Sequence, residues 1–222
     1  MHTPTPKVSV IVAAYNEELR IGRCIRSLIA NTLARNSFEI IVIDDGSDDN
    51  TLQAIEPFLD DIVLIKNETN IGLPASLNKG IRASRGQFVV RVDADDFVHA
   101  EYLNILSLAL RLNNSIDAVA CDYLLINDRQ DNVTCVNWLD QPIGCAIMYR
   151  IEHLIDVGLY DEQFFSCEDV DLRIRFSAKY SISRIPIPLY KYHIHGENMT
   201  EDVERISSYM AIVKNKHGLN ER

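Results

Sequence analysis

The chain has 222 residues, of which 47% are hydrophobic and 24% are charged, and its formal net charge is −10. These values fit one globular domain with a substantial core and exclude a chain that is disordered throughout. The acidic balance argues against general binding of nucleic acids or of anionic membrane surfaces, because both need lysine and arginine. An excess of carboxylates also fits a protein that holds a divalent cation.

The sequence contains no apolar run close to the roughly 20 residues that cross a bilayer, so a transmembrane segment is not expected. Residues 1–7 lack the apolar core of a signal peptide. The five cysteines are scattered and form no C-x-x-C pair, which predicts neither a disulfide framework nor a zinc site. The expected location is therefore the cytoplasm, with the inner face of the membrane as an alternative.

Buried strands alternate with amphipathic helices in the first half of the chain. Apolar runs predict strands at residues 8–13, 38–43, 62–66 and 88–92. The spacing of apolar residues predicts helices near residues 21–29, 51–59, 74–83 and 103–110. Ser47 is expected to cap the second of these helices. The alternation predicts an α/β fold with a mostly parallel sheet.

The second half is less regular and includes a polar turn at residues 128–132. Strands are predicted at 118–126, with an interruption at Asp122, and at 145–149 and 182–185. Helices are predicted at 151–155, 169–179 and 203–213. The change of pattern near residue 115 predicts two subregions of one domain over residues 1–222. Residues 1–115 would form the nucleotide-binding half, and residues 116–222 the acceptor-binding half.

Three of the predicted strands end in polar residues, at positions 15–17, 44–45 and 93–96. In parallel α/β sheets, ligands bind beyond the carboxyl ends of the strands. Asp93, Asp95 and Asp96 repel one another unless a cation joins them, and Mg²⁺ or Mn²⁺ would suit their oxygen atoms. The alternative is a solvated acidic turn in which Asp96 caps a helix. The neighbouring polar strand ends favour the cation, with Asp96 still expected as a cap.

Three further groups have both a functional and a structural interpretation. Asp45, in an Asp-Asp-Gly-Ser segment, either binds a nucleobase or ribose or belongs to an ordinary turn. Glu168 and Asp169 either include a general base or are carboxylates favoured by a helix dipole. Lys79, next to Asn78, either contacts phosphate or is simply exposed on a helix.

His193 and His195, followed by Asn198 and Thr200, offer a metal ligand or a contact with a diphosphate. The structural alternative is a polar surface loop. If the segment is extended, we expect the two rings to point to opposite faces, so that at most one histidine faces the site.

Taken together, five segments resemble the family 2 glycosyltransferases, which have the GT-A fold and invert the configuration of the transferred sugar. They occur in the family's order and cover most of the chain. The segments are VSVIVAAYNEE, IIVIDDGSDDNT, NIGLPASLNKGIRASRGQFVVRVDADD, GLYDEQFFSCEDVDLRIR and HIHGENMT. The resemblance implies a GT-A fold, a Rossmann-like and mostly parallel sheet flanked by helices, with a smaller acceptor-side subregion.

The resemblance also implies which residues face the sugar nucleotide. Ala13, Tyr15 and Asp45 would line the pocket for the base and ribose. The rest of the predicted nucleotide-binding set is Glu17, Asn78, Lys79, Asp93 and Ala94.

For the metal and the chemistry, the resemblance implies a second set of residues. Asp93 and Asp95 form the D-x-D motif, in which Asp95 is the direct metal ligand and Asp93 serves ribose or a metal-bound water. His195 is the histidine near the diphosphate and a metal ligand, with the histidine two residues earlier as the alternative. Asp169 is the catalytic base and Glu168 its neighbour. The implied cofactor is Mn²⁺ or Mg²⁺.

The implied activity is transfer of a sugar from a nucleoside-diphosphate donor to a hydroxyl of a glycan or lipid-linked acceptor. The nucleotide that the resemblance favours is UDP. Assembly of surface polysaccharide or lipopolysaccharide is the expected context. Because the sequence ends soon after the histidine block, we expect a small acceptor platform or one completed by another subunit, and a homo-oligomer is compatible with this.

Three alternatives stay open at the level of sequence. A non-catalytic sugar-nucleotide or carbohydrate-binding module would share the fold and bind without turnover. A phospho-receiver domain also gathers aspartates at strand ends, but it leaves the second acidic pair and the histidines without a role. A nucleotidyltransferase would need a Gly-rich, basic loop after the first strand, where this chain has Tyr-Asn-Glu-Glu at 15–18.

Overall fold

The computed structural model describes residues 6–127, 133–196 and 202–219. Within these ranges, nine strands form a single sheet. The strands are β1 (Val8–Ala14), β2 (Phe38–Asp44), β3 (Val63–Lys66), β4 (Phe88–Arg91), β5 (Phe97–Val98), β6 (Ala118–Asn127), β7 (Val133–Val136), β8 (Ile147–Arg150) and β9 (Ile182–Ile194). The turn predicted at 128–132 and residues Asn198 and Thr200 lie outside the described residues.

The same ranges contain seven α-helices: α1 (Ile21–Ile29), α2 (Thr51–Ile55), α3 (Leu73–Ala83), α4 (Tyr102–Leu112), α5 (Ile151–Asp156), α6 (Glu168–Ser177) and α7 (Val203–Lys216). Short 3-10 turns occur at Arg35–Ser37, Glu56–Phe58 and Gly144–Ala146. Among the helices of the described part of the chain, none has both the length and the apolar character needed to cross a membrane.

The first four strands form the parallel part of the sheet, in the order β3, β2, β1, β4. A helix connects each strand to the next in the chain, as the alternation of sequence patterns predicts. Every residue of β2 is buried, and β1 is buried at all but one position. Such continuous burial is typical of strands covered on both faces. The predicted parallel α/β arrangement is confirmed for this half.

The second half extends the same sheet with mixed pairing. β8 runs antiparallel to β4, β6 runs antiparallel to β8, and β9 lies parallel to β6. β5 pairs with β9 and β7 pairs with β6, both antiparallel. The strands β1, β2, β3, β4, β6 and β9 therefore point in one direction, so the sheet is mostly parallel. Neither β5 nor β7 is predicted by the sequence pattern; β5 has only two residues, and β7 is exposed at three of its four positions.

Strand β9 is much longer than the predicted strand at 182–185. Pro186 and Pro188 have no amide hydrogen to give to a ladder, which favours a bulge. The pairing of β6 with β9 accordingly shifts around Asp122: Cys121 pairs with Ile185, but Asp122 pairs with Pro188. Strand β6 itself runs unbroken through Asp122, so the predicted interruption corresponds only to this shift in its pairing with β9.

Ser47 is not the cap of helix α2, and that prediction is wrong. The helix begins at Thr51 with Asn50 in the cap position. Asp49 Oδ1 accepts the hydrogen bond from the Thr51 amide at 2.8 Å. The Ser47 hydroxyl instead accepts from the Asn16 amide at 3.0 Å. The serine therefore joins the loop after β1 to the loop after β2, and it lies three residues before the cap position.

Helix α3 approaches the sheet most closely at Gly80. A Cβ atom at this position would lie 2.6 Å from Ile11 Cγ2 and 2.7 Å from Ile43 Cδ1. These contacts are too short for any side chain, and both isoleucines are fixed in the core. Glycine is therefore required if α3, which carries Asn78 and Lys79, is to lie at its observed height above β1 and β2.

We expect Gly80→Ala to lower the free energy of unfolding by about 1–2 kcal/mol, because overpacking outweighs the gain in helix propensity. Gly22→Ala in helix α1 is the matched control. Its nearest neighbour would be the mobile end of Arg26 at 3.3 Å, so this variant should be at least as stable as the wild type. Denaturant unfolding measures both, and equal effects at the two glycines would contradict the packing argument.

Candidate active site

The turn after β4 carries the three predicted carboxylates and has an inner and an outer side. The Val92 amide donates to the Ile11 carbonyl at 2.9 Å, which continues the pairing with β1 as far as the turn. The side chains of Asp93 and Asp95 are 25% and 20% exposed. Asp96 is 1% exposed. The turn therefore presents two carboxylates outward and keeps the third inside.

Asp96 is not a helix cap, contrary to the prediction. Strand β5 follows it, and its carboxylate accepts hydrogen bonds from the Tyr190 hydroxyl at 2.6 Å and the His193 amide at 2.7 Å. The same hydroxyl accepts from the Asp93 amide at 3.1 Å. Burial, followed by the nearby Asp95 and Asp93 carboxylates, raises the pKa of Asp96 well above its usual value. Asp96 therefore fastens the turn to β9 from within.

Both histidines of the last block are buried, and their ring centroids lie 5.2 Å apart. The expectation that His193 and His195 point to opposite faces is wrong, because every second residue of a strand lies on the same face. His193 lies in β9 and His195 directly follows that strand, so neither histidine belongs to a surface loop. His195 Nε2 lies 2.9 Å from Asp95 Oδ2. The structure thus brings together two of the three residues predicted to take part in metal binding; the third is Asp93.

Arg91, the last residue of β4, joins the D-x-D motif to the predicted base region. Its Nε donates to Asp93 Oδ1 at 2.5 Å, and a second guanidinium nitrogen lies 3.2 Å from Asp93 Oδ2. The third nitrogen donates to Glu168 Oε1 at 2.8 Å. Burial opposes the charge of Arg91, but Asp93 and then Glu168 outweigh this and raise its pKa well above the usual value.

Helix α6 begins with the acidic pair, directly after a sharp change of chain direction. Cys167 has a φ of 59°, in the left-handed region that residues other than glycine rarely adopt. Glu168 is buried, and burial raises its pKa although Arg91 opposes the shift. Asp169 is 23% exposed and lies 3.7 Å from Arg173. Of the two acidic side chains, that of Asp169 is the more accessible to solvent.

Gly144 allows the predicted base to lie against the loop before β8. A Cβ atom built at Gly144 would be 2.6 Å from the Asp169 Cβ and 3.4 Å from its carboxylate. Any larger residue would therefore have to displace Asp169. The Trp138 indole donates to the Ile143 carbonyl at 3.0 Å and its amide donates to the buried Asp122 at 3.0 Å, which holds this loop in place.

On the nucleotide side, the Asp45 carboxylate holds the loop that follows β3. It accepts hydrogen bonds from the Asn67 side chain at 2.8 Å and from the Ile71 and Gly72 amides at 3.0 and 2.9 Å. Lys79 donates to Asn67 Oδ1 at 2.6 Å. The structure thus brings Asp45 and Lys79 together through Asn67. Their contact with a nucleotide stays a prediction.

The remaining predicted nucleotide residues lie at or near the end of β1 and inside the turn. Ala13 is the penultimate residue of β1 and half-buried, and Tyr15 follows the strand and is exposed. The Glu17 amide donates to the Thr51 hydroxyl at 2.7 Å, which ties this loop to α2. Ala94 is buried between the two aspartates of the D-x-D motif.

Asn78 stands apart from this group, because it is buried and its amide is already bound within the protein. Its side chain donates to the Tyr160 carbonyl at 2.8 Å and accepts from the Tyr160 amide at 3.0 Å. It also donates to Glu162 at 2.9 Å. This arrangement fastens α3 to the loop before α6 and gives no support to a direct contact between Asn78 and a nucleotide.

Sequence reasoning missed Arg91, Tyr190 and Gly144. Only Arg91 leaves a signal in the sequence, since it is a charged residue inside the apolar run FVVRV. A buried arginine needs carboxylate partners, and two acidic segments are available. Tyr190 and Gly144 act through neighbours that are distant in sequence, so that no local pattern identifies them.

The donor atoms of the site suit a hard divalent cation. The Asp95 carboxylate and the His195 imidazole offer oxygen and nitrogen ligands of the kind Mn²⁺ accepts. A second group, formed by Asp93, Asp96 and Cys145, has ligand atoms within 4.8 Å of one another. Burial raises the pKa of the Cys145 thiol well above its usual value, as it does for Asp96. The outer pair therefore fits Mg²⁺ or Mn²⁺ better than the inner group.

Comparison with known sequences identifies the family to which the chain belongs. A sequence model described as glycosyl transferase family 2 matches residues 9–134, which is more than half of the chain. The chain is 30% identical to EpsH of Bacillus subtilis (strain 168), provisionally called a glycosyltransferase, over 90% of its own length and 64% of EpsH. It therefore spans less than two thirds of that relative. The chain belongs to glycosyl transferase family 2.

Solved structures show the same fold. TarS residues 1–349 from S. aureus, in complex with UDP-GlcNAc, superimposes with a TM-score of 0.79 at 24% identity, over 94% of this chain and 66% of that one. The mannosyltransferase PcManGT from Pyrobaculum calidifontis, in complex with GDP-Man and Mn²⁺, gives a TM-score of 0.78 at 20% identity, over 99% and 66%. The predicted GT-A fold is confirmed.

The raised pKa of Asp96 predicts a pH dependence of stability. Because its folded pKa lies above the unfolded value, the folded protein binds more protons, and the stabilising contribution is lost as the pH rises through the folded pKa. Asp96→Asn keeps an acceptor for the His193 amide and cannot titrate. Denaturant unfolding in EDTA from pH 5 to 8 should therefore show a steeper loss of stability in the wild type than in the variant. Parallel curves would contradict the assignment.

Proposed function

We propose that this chain transfers a sugar, with inversion, from a nucleoside-diphosphate sugar to a hydroxyl of a glycan or glycolipid acceptor. One observation carries the proposal: Asp95 contacts His195 at 2.9 Å, and the same D-x-D turn is joined through Asp93 and Arg91 to Glu168, the neighbour of the partly exposed Asp169. A cation-binding pair on the diphosphate side and a carboxylate that can take a proton are the two parts that such a transfer needs.

In the proposed reaction, Asp169 removes the proton from an acceptor hydroxyl. The oxygen forms a bond to the anomeric carbon from the face opposite the nucleotide. The bond between that carbon and the diphosphate oxygen breaks, and its electron pair leaves with the diphosphate. A divalent cation, with Asp95 and His195 as its ligands, would supply positive charge to the leaving diphosphate. Arg91 keeps the neighbouring Glu168 paired inside the protein, so the partly exposed carboxylate of Asp169 is the one we propose to accept the proton.

The names of similar proteins support the choice of donor and context. The TarS structure contains UDP-GlcNAc and the PcManGT structure contains GDP-Man with Mn²⁺. The name of TarS from Staphylococcus aureus (strain Mu50), which is 38% identical over 100 residues, is poly(ribitol-phosphate) beta-N-acetylglucosaminyltransferase. The match covers 44% of this chain and 18% of TarS. We therefore propose that the donor is a UDP-sugar, that the transferred group is a hexosyl or N-acetylhexosaminyl group, and that the cation is Mn²⁺ or Mg²⁺. We also propose a role in surface polysaccharide assembly.

A thermal-shift panel tests donor binding, with UDP-GlcNAc, UDP-glucose and GDP-mannose each in Mn²⁺, Mg²⁺ or EDTA. A donor at a hundred times its Kd should add about 2.7 kcal/mol of stability. Release of nucleoside diphosphate, with acceptor glycans or with water alone, then tests turnover. Binding without any turnover would contradict the proposal and would indicate a sugar-nucleotide-binding module.

Asp95→Ala should abolish the part of donor stabilisation that depends on the cation, because it removes the carboxylate that contacts His195. Asp156→Ala is the matched control, since this aspartate lies on the surface and pairs with Lys179. Calorimetric titration of donor with Mn²⁺ and with EDTA measures the effect. If Asp95→Ala bound donor as the wild type does under both conditions, its role as a ligand would be wrong.

Asp169→Asn should leave donor affinity unchanged and reduce kcat by roughly 10²–10⁴-fold, because it removes the proton acceptor. Gly144→Ala offers an independent check, since it displaces the Asp169 Cβ without removing the carboxylate. We expect kcat of this variant to fall about tenfold to a hundredfold with donor affinity intact. Wild-type kcat in Asp169→Asn would rule this residue out as the base.

A further inference from the structure

Arg91 is a charged residue that takes no part in the bond-making and bond-breaking steps outlined above. Its side chain is 11% exposed, and three of its nitrogen atoms are bound to Asp93 and Glu168. A buried guanidinium with these partners has no free face for a substrate. Its effect on the reaction must therefore pass through the two carboxylates that it holds.

These contacts connect two elements that are distant in sequence. Arg91 ends β4 and Glu168 begins α6, 77 positions later in the chain. Asp93 belongs to the D-x-D motif and Glu168 immediately precedes Asp169. The guanidinium thus lies between the D-x-D turn and the start of α6 and is hydrogen-bonded to both.

The two aspartates of the D-x-D motif have different partners. Both carboxylate oxygens of Asp93 face Arg91 nitrogens, at 2.5 and 3.2 Å. Asp95 instead faces His195 at 2.9 Å. A guanidinium that covers both oxygens offsets the charge of Asp93, which weakens it as a cation ligand.

We propose that Arg91 is a positioning residue for the transfer: it fixes the start of α6 relative to the D-x-D turn, and it neutralises Asp93 so that Asp95 is left as the carboxylate ligand of the cation. The proposal rests on the proposed function. It makes an unusual prediction, because loss of the arginine should improve cation binding while it impairs turnover.

Arg91→Met and Arg91→Lys separate charge from geometry. Methionine keeps most of the apolar stem of the arginine but carries no charge. Because one positive charge near the cation is removed, Mn²⁺ should bind to Arg91→Met about tenfold more tightly. Lys keeps the charge but cannot bond three oxygens in a fixed plane, so Mn²⁺ affinity should stay within about twofold. In both variants kcat should fall about tenfold to a hundredfold, because the base side loses its fixed position.

The Mn²⁺ affinity is measured by electron paramagnetic resonance of the free ion, with and without UDP, and kcat and donor KM by nucleotide release. Arg150→Met is the matched control. Arg150 is also buried, but it donates to the main-chain carbonyls of Leu110 and Ile116. This control should lose stability and change neither kcat nor Mn²⁺ affinity by more than about twofold.

A double-mutant cycle with Glu168→Gln tests the connection itself. If Arg91 acts through Glu168, the effects of Arg91→Met and Glu168→Gln on kcat should be less than additive in free energy. Additive effects would overturn the proposal, as would wild-type kcat in Arg91→Lys. A parallel loss of kcat and Mn²⁺ affinity in Arg91→Met would show general damage and also overturn it. If Arg91→Met does not fold, Arg91→Lys and the cycle built on it decide the question.

The two proposals fail in different ways. A wild-type protein without donor binding or turnover defeats the proposed function. An active wild type whose Arg91 variants keep kcat and Mn²⁺ affinity defeats the role of Arg91 alone.

Discussion

Four carboxylates crowd one edge of the sheet, three in the Asp93–Asp96 turn and one at Glu168. In a poorly solvated site their repulsion would drive the turn and helix α6 apart unless each charge has a partner. The partners are Arg91, Tyr190, His193 and His195. All of them come from β4 or from β9 and the residue after it. The shape of the turn therefore depends on two strands of the sheet more than on its own residues.

Strand β9 is the element that makes this arrangement possible. It begins beside β6, passes the irregular pairing opposite Asp122, and continues far enough to place Tyr190 and His193 under the D-x-D turn. A strand that ended before Pro186, as its sequence suggests, would leave Asp96 buried without acceptable partners. An unpartnered buried carboxylate is strongly unfavourable. The buried carboxylate of Asp96 therefore has hydrogen-bond partners only because β9 continues past its prolines.

The sequence predicts what depends on local pattern. The alternation of β1 to β4 with α1 to α3 follows from apolar runs and helical spacing, and D-x-D stands out because it ends a buried strand. Local pattern does not predict which partners meet across the sheet: the Arg91–Glu168 contact joins residues 77 positions apart. Asp95 and His195, 100 positions apart, are expected at one site only through the family resemblance. The predictions of Ser47 and Asp96 as caps are wrong for the same reason: their hydrogen-bond partners lie in other loops and strands.

The two halves of the candidate site form one connected surface. Arg91 holds Glu168 at one point, and Asn78 holds the loop before α6 at another. At a third point Gly72, whose amide is bound by Asp45, lies so close to Phe165 that a Cβ there would be 3.0 Å from the ring. The loop held by Asp45 and the segment that leads into α6 are therefore packed against each other. A ligand that orders the loop held by Asp45 would, through these contacts, also restrict the position of the acidic pair.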